Sequence, residues 1–369
     1  MKILFDLLYI RDSRTTGVAN FAFRLLDGIK QYYGNIVNNI ILLIDQKDID
    51  IINERFMNFN YIASTKFNRI KVPYISSIIE SIELNKIIRN NKINIYYNPF
   101  VHANSKFCQC MMIGTIHDIQ QLSLKKGIKL QVYKFLLKKK LKCYRKLICI
   151  SKHSNNEIIA FMPELKNRCC VVYNSVPVAP MEPLQNIDSF KPYILNVNTL
   201  LEYKNVLTLV KAYTLIKNKV PHNLVLKAKE TPYWNEVVKP YIDKYNLNNR
   251  VFLIEKSLTN GQMTTLYTNA TLFVSPSTME GFGLTPVEAM ICGVPTIVSK
   301  ISALHESTMG MAIYLEDSYD VNGLANLMLN TIRSKDNITS DKIAKKLSET
   351  YSIQRNAEGY LNEWGINYK

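Results

Sequence analysis

The sequence predicts an α/β protein built from two doubly wound parallel-sheet domains, and three observations carry that expectation. Short apolar runs alternate with stretches of helical periodicity along the chain. The runs are apolar at consecutive positions, as strands are when helices cover both faces of a parallel sheet. The alternation breaks once, at residues 177–192 (PVAPMEPLQNIDSFKP), where four prolines interrupt weak periodicity, and then it restarts. At 369 residues the chain has room for two domains of ordinary size.

In the first half the strands are read at Lys2–Asp6, Asn39–Ile44, Arg69–Val72, Ile93–Tyr97, Met111–Ile116, Lys146–Ile150 and Cys170–Tyr173. Helices fall between them near 17–30, 76–90, 127–145 and 153–161. After the proline-rich break, strands are read at Tyr193–Val197, Asn223–Lys227, Val251–Ile254, Thr271–Ser275, Thr296–Ser299 and Ala312–Leu315. Their helices lie near 205–218, 233–246, 260–269, 285–292, 321–332 and 340–350. The division is therefore a first domain over 1–176, a linker over 177–192 and a second domain over 193–350. In such sheets ligands bind where loops leave the carboxyl ends of strands.

Composition narrows the class. With 47% hydrophobic and 21% charged residues, the chain is neither disordered nor collagen-like. No stretch approaches the ~20 apolar residues of a membrane-spanning helix. Asp6, inside the apolar start MKILFDLLYIRD, argues against an export signal. Seven scattered cysteines, without a CxxC pair or a His cluster, read as thiols of a reducing compartment and give no structural zinc site. The net charge of +16 is lopsided: residues 1–176 carry 27 Lys and Arg against 12 Asp and Glu, and residues 177–369 carry 19 against 18. Two domains with different partners are expected.

The most informative segment is 275–299, SPSTMEGFGLTPVEAMICGVPTIVS. Glu280 lies in a loop after a strand, and Glu288 lies on the following helix. Gly281 and Gly283 between them permit close backbone approach, and amides at the helix start can bind an anion. Pro286 suits a first helical turn. One carboxylate can accept from a sugar and the other from a ribose, with a diphosphate on the amides between. A capped helix with two solvated acids is the plain alternative.

EGFGLTPVEAMICGVPTIVS resembles the signature of glycosyltransferase family 4, retaining sugar-nucleotide transferases of the GT-B fold. The resemblance extends to LYTNATLFVSPS before it and SALHES after it. In the first half it takes in TGVANFAFRLL at 16–26, TIHDIQQL at 115–122, ICISKHSNNEI and VVYNSV. It implies two Rossmann-like domains facing a cleft, the first leading on the acceptor and the second on the donor nucleotide, with a terminal helix at 351–369 crossing back to the first. It further implies that Glu280 holds hydroxyls of the transferred sugar. Phe282, Gly283 and Leu284 would offer backbone amides to sugar and diphosphate, and Glu288 would bind the ribose. Lys204, in VNTLLEYKN, matches the lysine that neutralises the diphosphate. His117 would face the donor sugar, and Gly17 would let the first loop approach the donor phosphates or the acceptor. The process it implies is surface-polysaccharide or O-antigen assembly, from a nucleotide-sugar (GDP-mannose ahead of UDP-hexoses) onto a lipid-linked glycan, with no cofactor or metal.

The sequence departs from the family pattern in three places. Asn198 stands for the usual Gly, Thr199 where many members have Arg, and Ala228 for a Gly after the second strand of that domain. Lys227 or Lys229 can supply the missing charge, or be solvated surface. A catalytically silent sugar-nucleotide binder or an epimerase-like enzyme is the alternative these departures motivate. His117, at a strand's carboxyl end, reads as ligand-facing, with a packed or capping role as its alternative; Asp118 reads as a local cap or orienter. Asp48-Ile49-Asp50, after NIILLID, has the form of a metal-binding Asp-x-Asp, but acids at helix starts are common and the second half already provides a metal-independent site. No nucleic-acid partner is expected, since the basic residues bring no reading motif or aromatic platform.

The positive charge has its own pattern. Between Ile119 and Asn156 there are 11 Lys and Arg and no acid. Tyr133, Leu137, Leu141, Tyr144 and Ile148 recur at helical spacing as a core stripe, while Lys134, Lys138, Lys142 and Arg145 form another. The expectation is peripheral docking of 125–146 on an anionic membrane surface, at the cytoplasmic face, with Phe135 entering shallowly.

Overall fold

The computed structural model describes residues 1–8, 17–64, 73–101, 109–334 and 341–367. The chain divides into two compact units, Met1–Ser175 with Ile353–Lys369, and Val176–Ser352.

In the first unit the order is β1 (Ile3–Asp6), α1 (Gly17–Tyr32), β2 (Ile40–Asp45), α2 (Ile49–Phe56), β3 (Asn60–Ser64), α3 (Pro73–Asn90) and β4 (Ile95–Asn98). Then come β5 (Met111–Ile116), α4 (Gln121–Leu124), α5 (Gly127–Leu141), β6 (Lys146–Cys149), α6 (Lys152–Phe161) and β7 (Cys169–Val171). The strands form one parallel sheet in the order β3-β2-β1-β4-β5-β6-β7. Successive strand residues point to opposite faces. Ile3, Phe5 and Tyr97 therefore enter one apolar layer, and Leu4, Tyr96 and Leu147 the other.

The second unit contains β8 (Tyr193–Val197), α7 (Val206–Ile216), β9 (Asn223–Lys227), α8 (Lys239–Lys244), β10 (Val251–Ile254), α9 (Asn260–Thr268) and β11 (Leu272–Ser275). It continues with α10 (Leu284–Ile291), β12 (Thr296–Ser299), α11 (Ser302–Ser307), β13 (Ile313–Leu315), α12 (Val321–Arg333) and α13 (Asp341–Thr350). Its sheet is parallel in the order β10-β9-β8-β11-β12-β13. Helix α9 starts where the sequence says it should: Thr259 accepts from the amide of Gln262 and the Gln262 side chain accepts from the amide of Thr259, satisfying two helix-end donors at once.

The last helix, α14 (Ile353–Trp364), belongs to the first unit. It packs along α1 closely enough that a Cβ on Gly28 would lie 2.5 Å from Ile353 Cγ2. Tyr360, Leu361 and Trp364 are buried with Phe5, Phe21 and Tyr97, and burial of each such side chain contributes about 1.5–3 kcal/mol.

Three readings need amendment. The stretch 177–192 lies in the second unit and packs against α9: the Glu182 amide donates to Gly261 O at 3.2 Å, Thr265 Oγ1 donates to Glu182 O at 2.6 Å, and Ile187 is buried. The third strand of the first sheet is Asn60–Ser64, an edge strand mostly exposed, so no apolar run announces it; the strand read at Arg69–Val72 lies outside the described residues. Helix α5 ends at Leu141, and the chain enters β6 at Lys146, so the helix read to 145 is shorter.

Candidate functional site

In the second sheet the strand order reverses between β8 and β11, so the loops leaving these two strands part on opposite faces and open a crevice at their carboxyl ends. These are the loops 198–205 and 276–283. They are laced together: Tyr203 O accepts from the Thr278 amide at 2.8 Å and from Thr278 Oγ1 at 3.1 Å. Asn205 Nδ2 donates to Pro276 O at 3.1 Å and to Ser318 O at 2.6 Å. Asn205 adopts a left-handed conformation at the start of α7, and its Oδ1 accepts from Thr208 Oγ1 at 2.7 Å.

On this scaffold Lys204 Nζ meets Glu280 Oε1 at 2.7 Å, with both side chains 13% exposed. An ion pair shielded from water to this degree is stronger than a surface pair and fixes both rotamers. It leaves capacity unused. An ammonium has three donors and a carboxylate about four acceptor positions, so Lys204 can also donate to a diphosphate while Glu280 accepts from sugar hydroxyls.

Beside the pair, α10 begins at Leu284. Gly283 precedes it at φ +90, and a Cβ there would lie 2.3 Å from Leu304 Cδ2. Both the backbone conformation and the space call for glycine. The amides of a first helical turn have no intrahelical acceptor and point at what lies before the helix. The Phe282 ring is buried edge-on against Tyr351, with centroids 5.2 Å apart. Any ligand contact of Phe282 is thus through its backbone. One turn on, Glu288 Oε2 accepts from the hydroxyl of buried Tyr267 at 2.7 Å, which holds the carboxylate and leaves Oε1 for another donor. The nearby Cys292 thiol is pushed up to about 11, chiefly by burial.

The three departures cluster on the neighbouring edge. The Asn198 amide donates to Lys227 O at 3.3 Å, while both polar atoms of the Asn198 side chain are buried without a partner among the described residues. Thr199 is exposed, Ala228 is buried and Lys229 is exposed. Burial lowers the Lys227 ammonium's pKa, with repulsion from Lys229 adding to the effect and Glu255 opposing it.

The remaining predicted residues are carried by the first unit. His117 follows β5. Its Nε2 lies 2.9 Å from Pro99 O, which can only accept, so Nε2 carries a proton. The ring packs edge-on against Phe21 at 4.9 Å. Burial lowers the imidazole pKa below 6.5, against the opposing pull of Pro99 O and Asp118. A neutral His117 therefore presents Nδ1 as an acceptor. Asp118 Oδ1 accepts from the Gln120 amide at 3.2 Å, the local-cap role. Gly17 opens α1, and the loop before it lies outside the described residues. Asp50 falls in the first turn of α2, as an acid favourable to the helix dipole. No group of three or more His, Cys, Asp or Glu that could hold a metal occurs among the described residues.

The sequence reading assigned no role to Tyr267, Asn205 or Thr278. Their signal is only that they flank assigned residues, because a hydroxyl or amide that braces a ligand-binding carboxylate or loop has no spacing rule.

The family model for glycosyl transferases group 1 matches residues 182–349. The chain is 29% identical over 206 residues to the O-antigen chain mannosyltransferase RfbU of Salmonella typhimurium, covering 54% of this chain and 55% of RfbU, about half its length. It is 24% identical over 262 residues to the O-antigen chain mannosyltransferase B of Escherichia coli, covering 67% of each. Among solved structures, Anabaena HepE in complex with UDP and glucose aligns with a TM-score of 0.75 at 16% identity over the full length of both chains. The fold is GT-B, two Rossmann-like parallel-sheet units. Together the family match and the relatives support a GT-B glycosyltransferase.

Proposed function

We propose that this chain is a retaining, metal-independent hexosyltransferase of the family 4 type. In this reading it moves a hexose from a nucleotide-sugar to a hydroxyl of a lipid-linked oligosaccharide during O-antigen assembly, at the cytoplasmic face of the membrane. The observation that carries the reading is the Lys204–Glu280 ion pair beside the glycine-opened start of α10. Mannose stands first among hexoses in this reading, supported by the names of RfbU and of the Escherichia coli relative, with GDP-mannose as donor; the UDP in the HepE complex supports UDP-hexoses next.

The chemistry needs charge and position rather than a covalent partner. As the bond between the anomeric carbon and the diphosphate oxygen breaks, negative charge develops on the diphosphate, where Lys204 and the amides at Gly283 and Leu284 meet it. Glu280 fixes the sugar through its hydroxyls and Glu288 fixes the ribose, so the anomeric carbon is held in one orientation. The acceptor hydroxyl forms the new bond on the face the diphosphate leaves, and its proton passes to a diphosphate oxygen. Neutral His117 accepts a sugar hydroxyl through Nδ1, and Gly17 admits the first loop to phosphate or acceptor.

The test is a thermal-shift screen over GDP-, UDP- and dTDP-sugars, followed by nucleotide release with and without a lipid-linked acceptor, each with and without chelator. Stabilisation by GDP-mannose and acceptor-dependent release untouched by chelator are expected. Binding without acceptor-dependent release would replace this reading with the silent binder or epimerase-like enzyme that Asn198 and Thr199 motivate. Loss of release with chelator, restored by manganese, would remove metal independence.

A further inference from the structure

Helix α5 is apolar on two opposite faces. On the inner side Leu141 is buried, and Tyr133 and Leu137 are half-buried. On the outer side Ile128 is 83% exposed, Val132 52%, Phe135 67% and Leu136 46%. Positions 128, 132, 135 and 136 follow the i, i+4, i+7, i+8 spacing of one helical stripe. Scattered exposed apolar residues are ordinary, but a contiguous stripe of four large ones marks an interaction surface.

Its frame is mostly basic. By helical geometry Lys129 flanks the stripe on one side, and Lys138 and Lys142 on the other, while Lys125 precedes the helix. Lys125, Ile128, Lys129, Val132, Tyr133 and Leu136 line a shallow, open depression of about 360 Å³. The Lys125 ammonium sits 5.4 Å from the centre of the Tyr133 ring. From residue 120 to residue 155 the sequence has no acidic side chain; from outside that window the Asp118 charge reaches Tyr133 and the Glu80 charge reaches Lys140. A polyanion such as duplex DNA would use the lysines and leave the apolar stripe in water. An anionic bilayer uses both: acyl chains take the stripe and headgroups take the collar.

We infer that α5 lies in the interface of an anionic membrane, inserted through Ile128, Val132, Phe135 and Leu136 and held by the lysines around them. This narrows the stretch 125–146 expected from sequence, because Leu141 and Tyr144 face the interior. It adds three residues to Phe135 as the inserted set. The inference is independent of what the second unit transfers.

The experiment is sedimentation of the full chain with vesicles of phosphatidylcholine alone or with 30% phosphatidylglycerol, at low and high salt. Binding is expected only with the anionic lipid and should weaken as salt rises. Lys129→Gln, Lys139→Gln and Lys142→Gln together should reduce it about 100-fold, at roughly fivefold per lysine. Ile128→Ser with Phe135→Ser should reduce it at least about tenfold while leaving the salt dependence unchanged. These side chains are exposed, so the melting temperature should hold, which excludes misfolding as the cause. Phe135→Trp provides a second readout: the two native tryptophans are buried, so a blue shift on adding anionic vesicles reports position 135. Equal binding to neutral vesicles, no blue shift, or tight binding to DNA with no binding to either vesicle would each overturn the proposal.

Discussion

The two units repeat one plan and differ in what stands where their strand order turns. In the first, the turn lies between β1 and β4, and buried Asp6 ends β1. Its carboxylate accepts from the Tyr96 hydroxyl, from Asn98 Nδ2 at 3.1 Å and from the Leu8 amide at 2.9 Å, while Asn98 Oδ1 accepts from the Phe100 amide at 2.9 Å. Burial and the Asp6 charge hold the Tyr96 phenol well above its usual range. That network ties the carboxyl ends of β1 and β4 together. In the second, the turn lies between β8 and β11, and the Lys204–Glu280 pair keeps donors and acceptors to spare. The first network braces strand ends, whereas the second pair keeps hydrogen-bonding capacity that a ligand can use.

Breaking the second pair should have the largest effect. Glu280→Gln and Lys204→Ala should each lower turnover by about 10²-fold or more, since on the proposed function each removes a charge that meets the sugar or the diphosphate in a sheltered site. Lys211→Ala, on α7, should leave turnover unchanged. Glu288→Gln should raise the donor KM more than it lowers kcat. Steady-state kinetics with the nucleotide-sugar selected by thermal shift decide the matter. Equal effects from Lys204 and Lys211 would make the lysine a source of bulk charge, and wild-type kinetics in both glutamate variants would dissolve the site.

What was legible in the sequence follows the same division. Strands buried on both faces announce themselves as apolar runs, so Met111–Ile116, Tyr193–Val197 and Thr296–Ser299 were read residue for residue. The exposed edge strand Asn60–Ser64 and the short helix α11 have no such run and were missed. Gly283 was legible because a left-handed backbone with Leu304 against it restricts the residue type, whereas Glu280 was singled out by its place in the loop after a strand. Tyr267 was not, because a hydroxyl that holds a carboxylate, here Glu288, follows no spacing rule. Nor was the pairing of Lys204 with Glu280, 76 positions apart, which depends on two loops leaving adjacent strands.

His117 sharpens the comparison, since it is where the first unit keeps an acceptor at a strand end. Its folded pKa lies below 6.5, so as pH falls the unfolded chain takes up a proton first. Stability from this site is therefore complete above pH 6.5 and declines as pH drops through the folded value. Urea unfolding at pH 7.5 and 5.5 should show the wild type losing more stability than His117→Gln. His222, also lowered by burial, stays as a common background in both. The acid limb of kcat/KM should fall below pH 6.5, and turnover of His117→Gln should drop about tenfold to 10²-fold. An acid limb above 6.5 would mean a charged imidazole at rest.

The smallest effect expected is at Asn198, the residue that sets this unit's first loop apart from the family pattern. A buried amide without partners costs about 1–3 kcal/mol, and nothing in the free protein offsets it among the described residues. If the donor reaches the carboxyl end of β8 beside Lys227, the unpaired Asn198 amide is a group it can meet. Asn198→Ala should therefore stabilise the free protein, by about 1 kcal/mol after the lost packing is counted, or roughly 2–4 °C in Tm. The same substitution should shrink the Tm shift produced by donor. Opposite signs in the two measurements distinguish this role from a structural one, because a side chain that braces the loop would lower Tm when removed. A lower Tm with an unchanged donor shift would make Asn198 a structural brace of its loop.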